Sequence, residues 1–145
     1  RRAAGAQVGE FNGLVRTISR SLRAHDMEGA LQATKAFMAR MPYHLGSHSE
    51  RGFQTTFWLI FTLLGAQIET EVKTAPGRVD AVVKAPDAIY VVEFKYEKSA
   101  QEALAQIDER GYLLPYATDG RKLYKVGVNF SEKTQTIGEW IIEEE

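Results

Sequence analysis

One stretch of this chain, residues 77–98, constrains the fold more than any other. Two apolar runs, 79–83 and 88–94, meet at the dipeptide Pro86-Asp87. Runs rich in β-branched and aromatic residues, parted by a turn dipeptide, predict a β-hairpin. Three charges interrupt it: Asp80, Glu93 and Lys95. A charge drawn into a core is costly unless it finds a partner, a metal or a task. With Pro86 and Asp87 as the loop, Ala85 faces Ala88, and counting outward brings Asp80 directly opposite Glu93. Opposed residues share a face with Cβ atoms about 4.5–5.5 Å apart. The two-residue period adds Lys95 to that face, whereas a slip of one residue would turn Asp80 to the other side.

Two carboxylates that close repel one another unless a cation lies between them. Oxygen donors in a chain without cysteine select a hard ion, Mg²⁺ or Mn²⁺, over zinc. Mg²⁺ keeps several waters and takes phosphate oxygens from its substrate, which suits a site with few protein ligands. A lysine beside it can orient the attacking water or stabilise negative charge developing on a phosphate. These residues therefore point to metal-assisted phosphodiester hydrolysis.

Asp80 followed by Glu93-Phe94-Lys95 resembles the PD-(D/E)xK nuclease superfamily, with Val79 where the motif's proline would stand. The wider pattern adds Gly77-Arg78, the helix segment Ala103-Leu104-Ala105-Gln106-Ile107, Gly111-Tyr112 and Val126-Gly127-Val128-Asn129-Phe130. That ordered set is similar to the bacterial PD-(D/E)xK family often found C-terminal to a predicted AAA-type ATPase-like domain. The resemblance spans roughly residues 47–142. It implies a restriction-endonuclease-like α/β core and a Mg²⁺- or Mn²⁺-dependent nuclease acting on DNA. Asp80 and Glu93 would hold the metal, the Phe94 carbonyl would be a third ligand, and Lys95 would position or activate the water. It also implies that a glutamate on the first core helix, Glu50, reaches the metal. Gln106 would help place the substrate or the water. An ATPase-like domain of the same longer chain would be a partner. The alternative from another class is a nuclease fold kept only to bind nucleic acid or such a partner domain.

Composition sets the bounds. At 145 residues and 44% hydrophobic content, the chain supports one ordinary domain with a real core. Without cysteine it has no disulfide framework, and with no secretory signal evident the expected location is the cytoplasm. The apolar run 57–64 is too short to cross a bilayer. The chain starts at Arg1 rather than Met, which agrees with a fragment or processed form. The net charge of −1 argues against a broad basic face for nucleic acid. Residues 1–48 carry seven Lys/Arg and three Asp/Glu, a net of +4, and residues 49–145 carry eleven and sixteen, a net of −5. Metal ions can cancel charge in an acidic core, and a solvated helical surface explains the basic part equally well.

The expected division is a helical extension over 1–46, packed on a nuclease-like domain over 47–145. Phe11, Leu14, Val15, Ile18 and Leu22 have helical spacing, as do Met27, Ala30, Leu31, Thr34, Phe37, Met38 and Met41. Asp26 would cap the second helix, and Pro42 and Gly46 would end it. Ser47-His48-Ser49-Glu50 matches a capping box opening a third helix, apolar nearly all round from Phe53 through Phe57, Trp58 and Leu59 to Leu64, hence central. Glu50 then either caps that helix or reaches the metal, and Gln54 either lines the same cleft or faces solvent.

Residues 67–74 alternate as a half-exposed strand, with Glu71 on its solvated side and a runner-up as metal ligand. Arg78 would touch a phosphate or form a surface salt bridge. Ser99 to Glu102 is a second capping box, opening a helix that Gly111 stops. Lys98 would face solvent or contact the nucleic-acid backbone, and Tyr112 would plug the core in preference to bordering the cleft. A buried strand over 122–130 completes a crossover unit and so should run parallel to the Glu93 strand, with 136–143 as an edge strand. His25, His44 and His48 lack ligand spacing and are read as surface residues.

Overall fold

The computed structural model describes residues 4–40 and 49–145. Helices α1 (Ala4–Arg23), α2 (Met27–Arg40) and α3 (Glu50–Leu64) precede strands β1 (Glu69–Ala75), β2 (Arg78–Lys84) and β3 (Ala88–Tyr96). Helix α4 (Ala100–Glu109) and a 3-10 turn (Leu114–Tyr116) then lead to β4 (Lys122–Ser131) and β5 (Thr136–Glu144). The five strands form one mixed sheet in sequence order. Only β3 and β4 are parallel, joined through α4 as the crossover reading requires. This is a restriction-endonuclease-like α/β arrangement, as expected. No helix among the described residues is long and apolar enough to cross a membrane.

The strand period divides the sheet into two unlike faces. Val79, Ala81 and Val83 of β2, with Tyr90, Val92 and Phe94 of β3, point toward α1–α3 and join the main core. Phe57 of α3 meets Phe94 at 4.2 Å between ring centroids, and Phe53 meets Phe130 at 5.1 Å. The α1–α2 hairpin adds its predicted stripe, with Phe11 edge-on to Phe37 at 4.9 Å. Its second helix is capped by Asp26, whose carboxylate accepts from the Gly29 amide at 2.8 Å. Helix α2 also covers the β5 edge, where Trp140 donates from its indole nitrogen to Glu28 at 2.9 Å. Met41, Pro42, Gly46, His44 and His48 lie outside the described residues.

Two local expectations need correction. The N-cap of α3 is Ser49, accepting from the Gly52 amide at 3.4 Å, so Glu50 is the first helical residue and not the third position of a capping box. The hydroxyl and carboxylate of a capping box must be three residues apart, and Ser49 has Gly52 at that place. Trp58 is 47% exposed. A helix with apolar residues on every side must still turn one side outward when it lies on a single sheet, and Trp58 falls on the side bearing Arg51, Thr55 and Thr62.

Candidate active site

The other face of the sheet is short of apolar residues. Ile89, Val91 and Ile107 form a small cluster, and toward the C-terminal end of β3 charges replace it. The hairpin register is the one counted from the sequence: Asp80 lies opposite Glu93, and Arg78 opposite Lys95. The face therefore carries a rung of two carboxylates beside a rung of two cations. Both rungs are held by strands whose alternate residues anchor them in the main core.

Glu93 is fully buried and Lys95 is 7% exposed. The Lys95 ammonium stands 3.6 Å from Glu93 Oε2. Burial, and after it the negative charge of Asp80, pushes the Glu93 carboxyl up from 4.5 to about 7, against the opposing pull of Lys95. Asp80 has two distinct oxygens. Its Oδ2 accepts from Arg78 Nε at 3.1 Å and from the Tyr112 hydroxyl at 3.3 Å. That hydroxyl in turn accepts from Arg110 Nη1 at 3.3 Å. Its Oδ1 is buried without a hydrogen-bond partner, as are both Glu93 oxygens and Gln106 Oε1.

Native proteins satisfy buried polar atoms, so several orphaned acceptors call for one explanation. All four are acceptor oxygens: three belong to carboxylates, which cannot donate when ionised, and the fourth is the Gln106 amide oxygen. A divalent cation satisfies such a set, so the residues fit a metal. No group of three or more His, Cys, Asp or Glu side chains gathers as a metal site among the described residues. The carboxylate set is thus a pair, which suits an ion that keeps waters and takes substrate oxygens.

Helix α4 lies over this face because Gly127, paired with Glu93 in β4, admits it. A Cβ at Gly127 would come within 2.4 Å of the Ala100 carbonyl oxygen. The Ser99–Glu102 capping box starts the helix as predicted, and Gly111, at φ 64°, ends it. That left-handed turn brings Tyr112 back over the sheet. The ring packs on the Ile89–Val91–Ile107 cluster while the hydroxyl reaches Asp80. The preference for a core role thus captures the ring and misses the hydroxyl.

The remaining predicted residues divide. Gln106 sits on α4 with its buried, unpartnered oxygen. Phe94 turns its ring to the opposite face, which leaves its carbonyl in the plane of the sheet. Arg78 takes the salt-bridge role on Asp80. The Lys98 side chain is exposed, and its carbonyl accepts from the Asn129 amide at 2.8 Å. Glu50 does not join Asp80 and Glu93 in a three-carboxylate group among the described residues, and its Oε2 lies 3.6 Å from where a Cβ on Gly77 would be, at the β1–β2 turn. Gln54 donates to the Ala75 carbonyl, tying α3 to the end of β1. Glu71 pairs with Lys84 at 3.9 Å, in keeping with a solvated strand side. Arg110 was not singled out from the sequence. Its signal was faint: a cation at the end of the helix that carries Gln106, one residue before the glycine stop.

The family profile described as the PD-(D/E)XK nuclease superfamily matches residues 48–140, well over half of the chain. The chain belongs to that superfamily. In this PD-(D/E)XK protein, Asp80, Glu93 and Lys95 all lie within the matched residues. Among curated proteins, the chain is 28% identical over 129 residues to an uncharacterised protein from the vnfD 5′ region of Azotobacter chroococcum mcd 1. The match takes in 84% of this chain, which spans about 25% of that relative's length. No solved structure matches the chain significantly. PD-(D/E)XK nucleases as a class typically work with divalent metals, and the orphaned carboxylate oxygens are consistent with that habit.

Proposed function

We propose that this PD-(D/E)XK module is a Mg²⁺- or Mn²⁺-dependent nuclease that hydrolyses phosphodiester bonds in DNA. The observation that carries the reading is the buried pair Asp80 and Glu93, opposed across the hairpin, with unpartnered oxygens and Lys95 at 3.6 Å. Asp80 Oδ1 and the Glu93 carboxylate would hold the ion, and the Phe94 carbonyl is the backbone group nearest in sequence. Asp80 and Glu93 would hold that ion, which would offset their charge and supply Lewis-acid polarisation of a phosphoryl oxygen. Arg78 and Tyr112 fix Asp80 by occupying its Oδ2, which leaves Oδ1 available to hold the ion. Lys95, held by Glu93 and nearly dry, faces the attacked phosphate, orients the water and stabilises charge that grows on the phosphoryl oxygens. Gln106 offers its amide to the same water or to the substrate. An ATPase-like domain in a longer chain is the partner that would deliver DNA.

The test is single-turnover cleavage of labelled DNA with Mg²⁺ or Mn²⁺, comparing the unaltered protein with Lys95→Ala, and with binding measured in Ca²⁺. Lys95→Ala should lower the rate by roughly 10²–10³ and leave binding largely unchanged, because its contribution grows in the transition state. A lysine that only attracts the backbone would instead weaken binding in a salt-dependent way. Binding of DNA or RNA by both proteins with no cleavage of either would replace the enzyme with a binding module.

A further inference from the structure

Beside the carboxylate pair lies a cavity of about 550 Å³, walled on one side by β1 and β2 and on the other by the loop that follows α4. That volume falls within the range of about 300–1,000 Å³ usual for pockets that enclose small organic groups. Asp80 and Arg78 line both the cavity and the acidic site, so whatever fills the cavity lies next to the reacting bond.

Its walls combine two chemistries. Lys73, Arg78 and Arg110 supply three cations. Lys73 stands opposite Asp80 in the β1–β2 ladder, is exposed, and engages no carboxylate among the described residues. Among the described residues Arg110 makes one side-chain hydrogen bond, to the Tyr112 hydroxyl, which leaves most of its guanidinium donors free there. The loop supplies Tyr112, Pro115 and Tyr116, flat or ring-shaped surfaces with a Lys84 ammonium 5.3 Å over the Tyr116 ring. The carboxylate of Glu71 also lines the cavity but is engaged by Lys84 at 3.9 Å.

Cations next to aromatic and prolyl surfaces match the two halves of a nucleotide, a phosphate and a base. A base still paired and stacked in a duplex has to be extruded before it can enter such a cavity, whereas a base on a single strand enters without that cost. We propose that the cavity binds the nucleotide adjoining the cleaved phosphodiester, its phosphate among Lys73, Arg78 and Arg110 and its base against Tyr116 and Pro115. The substrate is therefore a single strand or a strand splayed from its partner. The inference rests on the nuclease reading for its place in the reaction, while the binding it describes needs no metal.

The experiment is equilibrium binding of a labelled single strand and a duplex of the same length, in EDTA and in Ca²⁺, across a salt series. The proteins are the unaltered chain, Tyr116→Ala, Tyr116→Phe, Lys73→Ala and Lys73→Glu. The single strand should bind about tenfold or more tightly than the duplex, Tyr116→Ala should remove about tenfold of that, and Tyr116→Phe should keep it. Lys73→Ala should reduce the slope of log affinity against log salt by about 0.7 for the single strand, and Lys73→Glu by more. Equal affinity for both forms, or a single-strand affinity indifferent to Tyr116→Ala, overturns the proposal. Should Tyr116→Ala fail to fold, the exposed Lys73 variants decide it, an unchanged salt slope being the adverse result. Tyr116-dependent single-strand binding without any cleavage would sink the catalytic reading and spare the cavity. Cleavage that needs Lys95, with no preference for single strands, would do the reverse.

Discussion

The two faces of the sheet are built from the same strands and serve opposite ends. Toward α1–α3, residues such as Val79, Tyr90, Val92 and Phe94 interlock with Phe53 and Phe57 in a continuous apolar core. Toward α4, the intervening residues include Asp80, Glu93, Lys95 and Lys125, beside the cluster of Ile89, Val91 and Ile107. Neighbours along β3 thus alternate between contributing to stability and carrying a charge at a cost. One face gives the rigidity that lets the other hold a repulsive pair of carboxylates at close quarters. Lys125 shows that charge on this face need not mean chemistry. Its ammonium is buried but bonded to Asp108 at 2.8 Å and paired with Glu143 and Glu145 at 3.4 and 3.3 Å, so every demand is met within the fold.

The comparison can be broken at several points. The largest effect is expected on the core face, where Phe57→Ala removes a fully buried ring and should cost roughly 3–5 kcal/mol in denaturant unfolding. A loss below about 1 kcal/mol would mean that this face is not the stabilising one.

On the site face the sign reverses. Because the folded pKa of Glu93 is raised from 4.5 to about 7, the protonated form favours folding. Its contribution is complete below 4.5 and is lost as pH climbs through about 7. In EDTA, Glu93→Gln should therefore flatten the pH profile and make the protein more stable than the unaltered chain above pH 7, by up to roughly 3 kcal/mol. Greater stability of the unaltered protein at that pH, without metal, would contradict the site's cost. Next in size, divalent ion at about 100 times its dissociation constant should add close to 2.7 kcal/mol, seen as a raised melting temperature that Asp80→Asn largely loses. An equal rise in the variant would place the ion elsewhere, such as the acidic C-terminal tail. The smallest effect belongs to Trp58→Thr on the outward side of α3, within about 0.5 kcal/mol, since that ring leaves the core intact.

The legible parts of this molecule were those governed by short-range rules. A two-residue loop and a period of two suffice to oppose Asp80 and Glu93, and a helix between two strands suffices to make β4 parallel to β3. The Ser99 cap and the α1–α2 stripe follow from spacing alone. What stayed hidden depends on where distant segments meet. Arg110 and Tyr112 reach Asp80 only because a glycine turn at the end of α4 returns the chain over the sheet. The exposure of Trp58 depends on α3 having one sheet beneath it and water above, which no periodicity within the helix records. Glu50 was ambiguous for the same reason. A helix start is visible in sequence, but whether its carboxylate points to the β1–β2 turn or to a metal is decided by how the helix is laid across the sheet.

Gly127 carries no charge and no side chain, yet it sets the height at which α4 is hung over the sheet. A single added carbon would meet the Ala100 carbonyl oxygen and the Leu104 amide, so α4 would have to rise, lifting Gln106, Arg110 and Tyr112 together away from a floor that stays where it is. A lineage could therefore retire the proposed nuclease, and keep its fold, by altering a residue that no survey of polar groups would ever single out.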